Sequence, residues 1–225
     1  TDEAPGQPVA CARPVLGAPD PTAATAPGGA YATFRNPFVY FHSVLDTSAC
    51  AADDVGLNRL KPDLARAAST PSFSYIAPDG CHDGNPTPCS HGAPAGLAAA
   101  DGFLRKVVPE ILGSKAYKSG GLLAITVDEA PSSGEFADSS SCCGQPQFPN
   151  LAAPPTGLSP RGGGTVGALL LSPFIKGATT SQEPYNHFSL LRTIEDLFGL
   201  KHLGYAGLPK VSALEASAFS AYTPG

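Results

Sequence analysis

The chain has 225 residues, a net charge of −5 at pH 7 and no dense Lys/Arg run, which argues against a nucleic-acid-binding surface. Only 15% of its residues are charged, against roughly 25% in an ordinary soluble domain, while 42% are apolar and supply a core. With 25 glycines and 24 prolines it is rich in loops, and no apolar run approaches the roughly 18 residues that a spanning helix needs.

The length suggests one domain, with an extended Pro/Ala/Gly-rich segment over 1–36, an α/β core over 37–206 and a tail over 207–225. There is no methionine and residue 1 is Thr1, so the sequence reads as a processed mature form or a fragment. Six cysteines, Cys11, Cys50, Cys81, Cys89, Cys142 and Cys143, are an even number in a proline-rich, charge-poor chain. They read as disulfides of an exported protein, secreted or periplasmic. The rival is zinc held by Cys81, Cys89 and His91, a spacing that matches no standard zinc pattern. Sequence does not choose the pairing, and adjacent Cys142 and Cys143 can join each other or separate partners.

Along the chain, Phe38-Val39-Tyr40-Phe41 reads as a strand or a packed loop, and Leu57, Leu60 and Leu64 share one face of a helical turn or two within 53–68. Ser72 to Ala77 is a candidate strand closed by Pro78-Asp79-Gly80. Residues 98–112 carry Phe103, Leu104, Val107, Val108, Ile111 and Leu112 at helical spacing, with a kink or a break expected at Pro109. The continuous run 122–127 suits a strand buried on both faces. A polar, cysteine-containing loop of about 35 residues follows, long enough to imply a function or an internal staple. Residues 166–171 form a second apolar strand, and 188–200 a helix with Leu190, Leu191, Ile194, Leu197 and Phe198 on one face. This order predicts an α/β fold with a largely parallel sheet.

In such folds ligands gather beyond the carboxyl ends of strands. Three clusters fall there: Asp79-Gly80-Cys81-His82-Asp83, the pair Asp128-Glu129, and Asn186-His187 at the start of the last helix, where free amides favour an anion. Acids can hold a divalent cation while histidines and a helix end meet phosphate oxygens. Each cluster has a plainer reading: a turn, a solvated strand exit and a helix cap. Arg161-Gly162-Gly163-Gly164 precedes a strand instead of linking strand to helix, so it is a hinge that allows close backbone approach, not a phosphate loop.

Taken together, Asn36-Pro37-Phe38-Val39-Tyr40-Phe41, Phe73 to Asp79 with Cys81-His82-Asp83-Gly84, Leu123 to Glu129, Cys142-Cys143-Gly144, Gly167 to Pro173 and Tyr185 to Leu200 resemble the phosphoesterase family. That family includes bacterial secreted acid phosphatases and, more distantly, phospholipases C, within the alkaline phosphatase superfamily. The resemblance implies a disulfide-stapled, alkaline phosphatase-like α/β/α sandwich and one divalent metal ion. It assigns Asp128, Glu129 and Asp79 to the metal, and His82, Asp83 and His187 to catalysis. Arg35 and Asn186 would bind phosphate.

Relatives carry an earlier region with the first metal ligand and the nucleophile, which has no counterpart here, so the nucleophile is unassigned and a separate N-terminal chain is a conceivable partner. Arg35 and Asn85 stand where many relatives have histidine. The expected activity is hydrolysis of small-molecule or lipid phosphate monoesters. The alternatives are a phospholipase C-type phosphodiesterase and a non-catalytic exported binding protein derived from the fold.

Overall fold

Asn36-Pro37 opens a short helical turn. The Asn36 side chain accepts the Phe38 amide at 3.2 Å and Pro37 presets the backbone, so Pro37–Tyr40 is a 3-10 turn with Val39 buried beneath it, not a strand. The computed structural model describes residues 11, 17, 33–86, 89, 92–131, 133–145 and 162–214. Most of the segment 1–36, His91, Arg161 and residues 215–225 therefore lie outside the described residues. The chain divides into two compact units, Thr1–Ser119 and Gly120–Gly225.

The first unit is built from short helices: α1 (His42–Leu45), α2 (Ser48–Asp53), α3 (Leu60–Leu64), α4 (Gly96–Gly113) and α5 (Lys115–Lys118). Thr47 caps α2 and Ser114 caps α5, each accepting a backbone amide. The helical turns expected within 53–68 are present as α3 between two 3-10 turns. In α4 the apolar spacing works as expected, burying Ala99, Phe103 and Val107 at four-residue intervals. Pro109 does not divide it. The carbonyl that loses its bond is that of Arg105, on an exposed face where water can replace the missing amide.

Residues 72–77, expected as a strand, belong to no sheet among the described residues. Phe73 and Tyr75 stay exposed, although Phe38 meets the Tyr75 ring edge-on at 5.9 Å. Two disulfides tie this unit, Cys11–Cys50 and Cys81–Cys89.

The second unit contains β1 (Leu123–Thr126), β2 (Ala168–Leu171) and α6 (His187–Leu197). The strands fall where the apolar runs place them, but they pair antiparallel, Leu123 opposite Leu171 and Thr126 opposite Ala168. The largely parallel sheet is thus not what the described residues form: the protein combines helices with a small antiparallel sheet. With one partner strand, β1 is half-buried on alternate residues, not covered on both faces.

Helix α6 departs from expectation in a different way. Ser189, Thr193 and Glu195 are buried, while Leu191, Leu197 and Phe198 of its apolar stripe are exposed. The cause is the segment 202–214, which packs on the polar side of the helix. Arg192 Nη1 donates to the carbonyls of Ala206, Leu208 and Val211 at 2.9–3.3 Å. Thr193 Oγ1 accepts the Leu214 amide at 2.7 Å, and Glu195 Oε1 accepts that of Leu203 at 2.8 Å. No helix among the described residues is long and apolar enough to cross a membrane.

Candidate functional site

The predicted site residues form two clusters, one in each unit. In the first unit, Asp79 is buried and its Oδ1 accepts the amides of Cys81 and His82, both at 3.0 Å, closing the Asp-Gly turn. The same oxygen faces His82 Nδ1 at 2.7 Å. A carboxylate only accepts, so this contact puts the imidazole proton on Nδ1 and leaves the neutral ring's lone pair at Nε2. Asp79 therefore orients His82, as the acid of a catalytic pair orients its base.

Arg35 and Asp83 form a half-buried ion pair at 2.6 Å, and Asp83 also accepts the Asn85 amide. The Arg35 guanidinium stacks over Phe34 and lies over Gly80, 3.4 Å from the place a Cβ would occupy there. The turn is fastened below by Cys81–Cys89, with both cysteines buried.

In the second unit, β1 ends and delivers Asp128 and Glu129 to an exposed position. Asn186 caps α6: its Oδ1 accepts the Ser189 amide at 3.0 Å while Ser189 Oγ accepts the Asn186 amide, a reciprocal capping box. This cap sets the exit angle of His187, whose Nε2 lies 2.9 Å from the Asp128 carbonyl oxygen. A carbonyl only accepts, so Nε2 carries the hydrogen and Nδ1 the lone pair of the neutral ring. The structure thus brings Asp128, Glu129, Asn186 and His187 to one place.

The glycine run acts as the close-approach element foreseen for it. The Gly163 carbonyl accepts the Ala130 amide at 2.7 Å, and a Cβ on Gly164 would fall 2.6 Å from the Asp138 carbonyl. A side chain at Gly162 would collide with the Ser140 carbonyl.

Sequence reasoning missed Asp138. Its carboxylate accepts the amides of Ser140 and Thr165, each at 2.8 Å, and these bonds hold its pKa far below the usual carboxylate range. It therefore pins the loop after β1 to the strand leading into β2. Asp138-Ser139-Ser140, an aspartate two residues ahead of the amide it binds, is the turn signature that points to it. Beside this loop lies an open surface depression of about 440 Å³ lined by exposed Val127 and Phe136, by Val166 and by the acids Glu129, Glu135 and Asp138.

Paired carboxylates with an imidazole are the donor set a hard divalent cation accepts. Asp128 and Glu129 offer oxygen donors, but only as part of a shell. Among the described residues, three donor atoms converge within 4.8 Å only in Asp79/Cys81/His82 and Cys11/Cys50/Asp54. The sulfurs of both groups are in disulfides and supply no thiolate. All six cysteines are paired, Cys142 with Cys143, so the cysteine zinc cluster is not formed.

In the second unit the acids leaving β1 lie beside the histidine that opens α6. The chain belongs to the phosphoesterase family: that family's model matches residues 18–201. No curated protein and no solved structure matches it.

Proposed function

We propose that the protein is an exported, metal-dependent phosphoesterase that hydrolyses phosphate monoesters, acting in a secreted or periplasmic setting. The observation that carries the reading is the seating of His187 on the Asp128 carbonyl, directly beside the acid pair that leaves β1, in a chain of the phosphoesterase family. The three disulfides and the low charge support an oxidising compartment.

In the reaction the P–O bond to the alcohol breaks, phosphorus takes an oxygen originating in water, and the leaving oxygen takes a proton. Asp128 and Glu129 would hold one divalent cation, which when bound neutralises phosphate charge and polarises its oxygens. His187, with its neutral lone pair at Nδ1, is in the tautomer to exchange a proton at that atom. Val127, Phe136 and Val166 give an apolar leaving group a wall to rest on. The α/β/α sandwich is part of the same proposal, with β1 and β2 as two of its strands.

The test compares an aryl phosphate with a bis-aryl phosphate on the wild type and on Asp128→Ala. Faster monoester turnover, lowered about 100-fold or more by the substitution, is the expected result. Faster diester turnover points instead to a phosphodiesterase, and turnover indifferent to Asp128 overturns the proposed site.

A further inference from the structure

Of the three disulfides, Cys142–Cys143 is unlike the others. Cys50, Cys81 and Cys89 are buried, whereas Cys142 is exposed and Cys143 half-buried. Cys11–Cys50 spans 39 residues and Cys81–Cys89 spans 8, while this bond joins neighbours. Disulfide stabilisation through the unfolded chain grows with loop length, so a bond between neighbours contributes least to holding the fold. Its effect is local. It helps hold Cys143 at φ 62°, in the left-handed region that side chains avoid, within a turn closed by the Gln145 amide on the Cys142 carbonyl at 2.9 Å.

That turn touches the start of α6. The Cys142 carbonyl also accepts Asn186 Nδ2 at 3.4 Å, and Cys142 Sγ lies 3.4 Å from the Tyr185 carbonyl oxygen. Asn186 is the cap of α6 and the residue before His187. A continuous set of contacts therefore runs from the exposed sulfur through Asn186 to the histidine on the Asp128 carbonyl.

We infer that Cys142–Cys143 is a thiol–disulfide exchange site for dithiol reductants, and that its reduction loosens the start of α6 and the seat of His187. A reductant thiolate attacks exposed Cys142 Sγ, the bond between the two protein sulfurs breaks, and Cys143 leaves as a thiolate. The second thiolate of the reductant then attacks the mixed disulfide and releases Cys142. Two electrons pass to the protein, its two sulfurs take up two protons at neutral pH, and the reductant ends as a disulfide. Free of the ring, Cys143 returns to negative φ, the turn opens, and Asn186 loses its acceptor.

The consequence for catalysis rests on the proposed rim, but the structural consequence does not, so the test reads structure first. The full chain is titrated with dithiothreitol, quenched by alkylation and mapped by mass spectrometry, with amide exchange followed in parallel. Alkylation is expected at Cys142 and Cys143 before the other four cysteines, with exchange at residues 186–189 rising about tenfold. A Cys142→Ser/Cys143→Ser double variant is expected to show the same rise without reductant. Reduction of Cys11–Cys50 first or simultaneously, or unchanged exchange at 186–189 once the pair is reduced, overturns the inference. If exchange rises and no turnover exists to respond, the proposed activity fails and the exchange site stands.

Discussion

At the scale of single residues, the two histidines are defined by what they face. His82 meets a buried carboxylate and His187 a carbonyl, and each contact selects one tautomer without an appeal to titration. Asp79→Asn keeps an oxygen for the amides of Cys81 and His82 but removes the charged partner of Nδ1. It is expected to cost about 1–2 kcal/mol in urea unfolding and to mix the His82 tautomers in nitrogen-15 spectra. A single unchanged tautomer signal would show that Asp79 does not orient the ring.

Asp138 gives the pH dependence. Its folded pKa is lowered by the Ser140 and Thr165 amides, so its contribution is complete above the ordinary carboxylate range and disappears as pH falls toward the depressed value. Exchange at Ser140 and Thr165, corrected for intrinsic rates, is expected to stay constant from pH 7 down to about 4 and to rise only below that. A rise between pH 6 and 5 would contradict it. The Asp79 and Asp128 clusters were visible in the sequence because each follows a punctuated apolar run, and His187 because it opens a helical one. Asp138 was not, because its partner Thr165 lies 27 residues away across a loop without periodicity.

At the scale of elements, apolar spacing located β1, β2, α4 and α6 to within a few residues, but it did not determine what covers them. The nearly continuous apolar run 122–127 predicts a strand flanked on both sides and carries no information on strand direction. β1 pairs antiparallel with β2. On α6 the apolar stripe was legible, while its burial was decided by long-range polar bonds from Arg192, Thr193 and Glu195 that no local window contains. Arg192→Ala leaves three carbonyls of the segment 206–211 without their donor. The expected cost is about 3 kcal/mol in the urea midpoint, with faster exchange in 203–214. A loss below about 0.5 kcal/mol would mean that this segment is held by its apolar residues Ala206 and Val211 instead.

At the scale of the whole molecule, a chain low in charge and rich in glycine and proline is held by disulfides of unequal weight. Cys11→Ser/Cys50→Ser opens a link across 39 residues and is expected to destabilise by roughly 4 kcal/mol, against less than about 1 kcal/mol for the vicinal pair. Thermal unfolding checks the order, and a reversed order would contradict the division between staple and exchange site. Family membership was legible from the motifs, as were the strand exit before Asp128 and the Asn186 cap, because strand exits and helix caps are local features. The further ligands that the proposed cation requires were not, because ligands converge through tertiary contacts. The central claim is that the acids leaving β1 hold a catalytic cation. The most direct measurement is turnover of an aryl phosphate before and after chelation and again after a divalent cation is restored. Loss on chelation and recovery on restoration, with neither in Asp128→Asn, is the predicted result; turnover that chelation leaves untouched contradicts it.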